Sequence, residues 1–104
     1  MKKELIDFAI YSARVEADSE GEMQEKMMAV SIYESLEFGW ANCCDGDADT
    51  FEKYSDEAIE AYVKAYAESY GVEWDLDSWG NYRFYKEKDE QMIDIEIQRS
   101  KLPF

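Results

Sequence analysis

The chain has 104 residues, 46% of them apolar and 15% aromatic, and its 25 Asp and Glu outnumber 11 Lys and Arg to give a formal net charge of −14. That length suits a single domain spanning residues 1–104, and its apolar content can offset the entropy of folding, which excludes a disordered acidic tail. A field of this sign repels phosphate backbones and anionic membranes, so direct nucleic-acid or membrane binding is excluded as an expectation and a positively charged protein is favoured as partner.

The excess is spread along the chain: residues 1–40 carry a net −5, 41–71 a net −6 and 72–104 a net −3. No stretch approaches the roughly 20 apolar residues that span a bilayer, and the opening Met1–Leu5 leads into mixed polar and apolar residues, so a cytoplasmic location is expected. Cys43 and Cys44 are adjacent, a spacing that strains a disulfide, and they read as reduced, partly buried thiols.

In chain order, Ile6, Phe8 and Ile10 alternate with Asp7, Ala9 and Tyr11, which predicts an opening strand over 6–17. Ser19 with Glu22 three residues later has the capping-box pattern, and it predicts a helix from about 20 to 38 that stops at Gly39. Residues 41–54 form an acidic connection, with Gly46 as its flexible point. Ser55 then reads as the N-cap of a second helix, with Asp56 and Glu57 in its first turn and Gly71 at its end. Ile59, Tyr62, Val63, Tyr66 and Tyr70 would make its apolar stripe.

From Val72 the period becomes two. Val72, Trp74 and Leu76 read as a strand, Ser78–Asn81 as a turn, 82–86 as the next strand and 92–98 as the last, with Val72, Trp74 and Leu76 and also Ile93, Ile95 and Ile97 expected to face the helices. The expected fold class is α+β: a mainly antiparallel sheet of about four strands with two helices on one face, in the order β-α-α-β-β-β.

Chemistry-bearing motifs are few. There is no histidine, Gly-rich phosphate loop, nucleophile elbow or Cys-x-x-Cys pair, so no catalytic residue, cofactor or enzymatic activity is expected. Asp45, Asp47 and Asp49 resemble the start of a calcium loop, but Thr50 stands where glycine makes the sharp turn and Asp56 where a bidentate Glu belongs. A solvated acidic loop is the expected reading, and no metal is assigned.

The candidate partner-binding residues are Asp45, Asp47, Asp49, Glu52, Asp56, Glu57 and Glu60, with Tyr54 as an aromatic anchor. Seven acids and one base, Lys53, in sixteen residues concentrate the field in one place. In length, charge, patterning and lack of catalytic groups the whole chain resembles the small acidic anti-CRISPR and anti-restriction DNA mimics of phages and other mobile elements. The resemblance implies an inhibitor that occupies the nucleic-acid-binding surface of a basic host-defence protein, a CRISPR effector or restriction enzyme, without a cofactor. An immunity protein or antitoxin against a basic nuclease toxin, a metal-binding module and an accessory subunit are the alternatives.

Overall fold

The computed structural model describes residues 2–85. Their order is α1 (Lys2–Ser19), β1 (Lys26–Met28), α2 (Ala29–Cys43), α3 (Ala48–Tyr70), β2 (Glu73–Leu76) and β3 (Asn81–Tyr85). Helices of 18, 15 and 23 residues dominate, beside a small antiparallel sheet in the order β1-β3-β2. The expected sheet-dominated α+β fold with four strands is therefore overturned in favour of a mainly helical one. No described helix is long and apolar enough to cross a membrane.

The first correction is at residues 6–17, which are helical. Leu5, Ala9 and Ala13 recur every four residues and are fully buried, while Ile6, Phe8, Ile10 and Ala17 pack beside them. Two of the three inward positions are alanines, small enough to let α1 lie close against α3, and alanine is also the best helix former. The helices run parallel, since Lys2 pairs with Glu57 at one end and the Tyr70 hydroxyl donates to the Ala17 carbonyl at the other. A fully buried Leu contributes about 1.5–3 kcal/mol, whereas the Lys2–Glu57 pair is exposed on both sides and screened by solvent. Packing, and not the ion pair, holds α1 in place.

Ser19 is the last residue of α1 instead of a helix start, and its hydroxyl donates to the Glu16 carbonyl. The expected helix over 20–38 is replaced by a link, the short strand β1 with Met27 buried, and α2, which buries Ile32, Leu36 and Trp40 at four-residue spacing. Gly39 does not stop α2. A Cβ there would fall 2.5 Å from the Phe8 ring, so glycine serves the close approach of α1 and α2.

The acidic connection is shorter than expected. α3 begins with Asp47 as its N-cap, eight residues ahead of Ser55, and the Ser55 signal coincides with a kink at Tyr54, where φ is −118° and ψ 18°. Gly46 is a contact point instead of a flexible one: its N–H donates to the Trp40 carbonyl at 2.8 Å, and a Cβ on it would overlap the indole. Expectation and structure agree on the far end of α3, where Gly71 takes the left-handed conformation (φ 65°) and its N–H caps the last carbonyls. Ile59, Tyr62, Val63 and Tyr66 of the expected stripe are buried.

β2 and β3 form the expected hairpin, with Trp74 opposite Phe84 and Leu76 opposite Tyr82. Phe84 is buried and Trp74 packs on the core, but Leu76, expected to face the helices, is exposed at the strand end. β3 lies in the centre because β1 takes its other edge, with Met27 opposite Tyr82. The expected strand over 92–98 lies outside the described residues.

The link from α1 to β1 is tied down by Tyr66, which is fully buried. Its hydroxyl donates to the Glu20 carboxylate at 2.5 Å and accepts from the Gln24 N–H at 2.9 Å. Burial, then this bond to Glu20, pushes the Tyr66 phenol well above its ordinary range. Tyr66→Phe is expected to lower unfolding free energy by about 1–2 kcal/mol in urea titration, because it strands the Gln24 N–H. Gly46→Ala is expected to cost about 1–3 kcal/mol by the same measurement, since the added methyl overlaps the Trp40 ring.

Candidate functional site

The acidic surface is built on the turn from α2 to α3 and the first half of α3. Trp40, buried in the core, donates from its indole Nε1 to the Asp47 carbonyl at 2.9 Å. Together with the Gly46 bond, this fixes where α3 starts and which way its outer face points. Asp45, preceding Gly46, has a positive φ of 52°, a conformation that Asp tolerates better than most residues.

The Asp47 carboxylate accepts from both the N–H and the hydroxyl of Thr50, at 2.9 and 2.8 Å. Those two bonds hold its pKa below the usual carboxylate value, the hydroxyl contributing most. Beyond it, Asp49, Glu52, Asp56 and Glu60 follow at three- or four-residue steps and all are exposed. At 1.5 Å per residue they lie along about 16 Å of helix. The ion pairs between described residues are Lys2–Glu57 and Arg83–Asp77, so neither involves these four side chains, Asp45 or Asp47.

Two of the expected partner-binding residues are engaged internally. Glu57 is held by the Lys2 ammonium at 2.7 Å. Tyr54 is half-buried, packed on the core at the kink, with the ammonium groups of Lys2 and Lys53 at 5.4 and 5.5 Å from its ring centre. It is a poor anchor for an outside partner, because its ring is already covered. The aromatic side chains that do stand out are Tyr11, 66% exposed on α1, Phe38, 70% exposed on α2, and Trp79, 85% exposed between β2 and β3. Sequence reasoning passed over Trp79 as part of a turn, although an indole in a tight polar turn was itself the available signal.

No three Asp, Glu or Cys side chains among the described residues converge to hold a metal ion. The Asp47 carboxylate is instead bonded to Thr50 as the cap of α3. Cys43 and Cys44 are free and both exposed, where partial burial was expected, because α2 runs through Cys43 to the surface. A groove of about 540 Å³ separates α1 from α3. Its floor is Ile6, Ile10, Ala61 and Ala65, and its rim mixes Lys2, Arg14 and Lys64 with acids, so it has no single-sign field to select an ion.

The double role of Asp47 separates cap from charge. Asp47→Ala is expected to lower stability by about 0.5–2 kcal/mol in chemical denaturation, whereas Asp47→Asn keeps a capping oxygen and costs much less. With this geometry in hand, no protein-family model, curated protein or solved structure was found to match the chain.

Proposed function

We propose that the chain is an acidic protein inhibitor that occupies the nucleic-acid-binding groove of a basic host-defence protein, of the CRISPR-effector or restriction-enzyme class, in place of nucleic acid. The observation that supports this reading is the line of exposed carboxylates of Asp49, Glu52, Asp56 and Glu60, none of which forms an ion pair among the described residues. Asp49, Glu52, Asp56 and Glu60 give about one charge per 5–6 Å of helix, sparser than the one phosphate per roughly 3.4 Å along a single strand. A groove lined with Lys and Arg to follow one strand would accept such a face. The inhibitor needs no chemistry of its own, only a fold that holds the line outward.

The test uses a panel of purified guide-loaded CRISPR effectors and restriction endonucleases. Converting Asp49, Glu52, Asp56 and Glu60 together to their amides should leave the helical circular-dichroism signal intact and slow association with the bound panel member about tenfold or more at low salt. The salt dependence of association should flatten with it. Unchanged association by the four-amide variant, or a ternary complex holding nucleic acid and the chain together, would refute the proposal.

A further inference from the structure

An acidic face alone supplies steering, and a lasting complex also needs a desolvated apolar anchor. The end of the sheet provides one. Trp79 is 85% exposed at the tip of the β2–β3 hairpin, and Leu76, at the end of β2, is 53% exposed. Met28 pairs with Asn81 and the Ala29 N–H donates to the Gly80 carbonyl at 2.9 Å, which fastens the hairpin tip to the start of α2.

The turn that carries Trp79 is rigid. One Asp77 carboxylate oxygen accepts from the N–H groups of Trp79 and Asn81, both at 2.9 Å, and the other accepts from Arg83 Nε at 3.0 Å. The Asp77 N–H donates to the Asn81 carbonyl, and Gly80 takes a φ of 80° that a side chain would resist. A partner therefore meets an indole whose backbone is already ordered, and little further conformational entropy is lost on binding.

This patch continues the acidic face. Leu76 lies opposite Tyr82 in the sheet, and the charges of Glu60 and Asp56 on α3 reach the Tyr82 hydroxyl, adding to burial in raising its pKa. From the carboxylates of α3 the surface thus runs by way of Tyr82 to Leu76 and Trp79. A second copy is a poor occupant, because two chains of charge −14 repel each other.

We propose that Trp79, with Leu76 in the same hairpin, is the anchor of the docking surface, and that it enters an apolar pocket lying beside the Lys- and Arg-lined groove of the partner. The inference rests on the inhibitor reading and adds to it the residue that controls residence time.

Dissociation and association rates of Trp79→Ala, Trp79→Phe and the four-amide α3 variant, measured on the same purified panel, test it. For the member that wild type binds, Trp79→Ala should dissociate about 30-fold faster or more while associating within about twofold of wild type. Trp79→Phe should fall between, and the four-amide variant should show the opposite split. Wild-type dissociation by Trp79→Ala, in a complex that still excludes nucleic acid, overturns this inference and leaves the inhibitor reading standing. A concentration-dependent dimer of the chain alone, abolished by Trp79→Ala in sedimentation velocity, would assign the patch to self-association and overturn it too. Failure of the wild-type chain to bind any panel member overturns both.

Discussion

The buried indole of Trp40 is the constraint on which the arrangement of the helices depends. Phe8 of α1 lies 6.2 Å from it, Gly46 closes over its face, and its Nε1 holds the carbonyl of the residue that caps α3. Three helices meet at one side chain, so the direction of α3 is set before its surface residues have any say. A Trp in this position brings a large apolar surface and one donor, and both are used. The acidic face is then a consequence of the core: the residues of α3 that cannot face Trp40, Tyr33 and the α1 alanines are those left in water.

How much of this was legible in the sequence follows from how each element is held. The second half of α3 was readable because its stripe is made of large side chains at helical spacing and its end is marked by Gly71. The β2–β3 hairpin was readable from the alternation of Trp74 and Leu76 with acids. α1 was misread because its inward face is Ala9 and Ala13, which hydropathy barely registers, while the partly buried Ile6, Phe8 and Ile10 imitate a strand. β1 had no readable signal, since three residues become a strand through pairing with β3, fifty-odd positions later. Ser19 and Ser55 have the chemistry of caps, yet the chain uses Ser19 at a helix end and Ser55 just past a kink.

The site divides in the same way. The concentration of acids was visible as composition, and the structure adds which of them share a face. What composition hid was occupancy: Lys2, far away in sequence, takes Glu57 and covers Tyr54, and Asp47 spends its lone pairs on Thr50. A charge counted in a sequence window is available to a partner only if nothing in the fold has claimed it. By the same reasoning the ring to look for is one with no room in the core, and a Trp held at a turn by hydrogen bonds around it meets that description better than a Tyr at helical spacing.

The placement of the acids along α3 bears on whether they serve solubility or recognition. Asp47 and Asp49 stand at the helix N-terminus, where the dipole favours anions, and such a site stabilises by about 0.3–1 kcal/mol. Glu52, Asp56 and Glu60 have no such benefit. They are spaced four apart, and each like-charge pair at that spacing costs about 0.2–0.5 kcal/mol. Lys53, three residues before Asp56, and Lys64, four beyond Glu60, offset part of that cost. Solubility needs net charge but not its alignment, and an equal number of acids scattered over α1 and α2 would repel one another less. A line that works against the helix carrying it, sustained by a well-packed opposite face, is what a surface shaped for a basic partner would require.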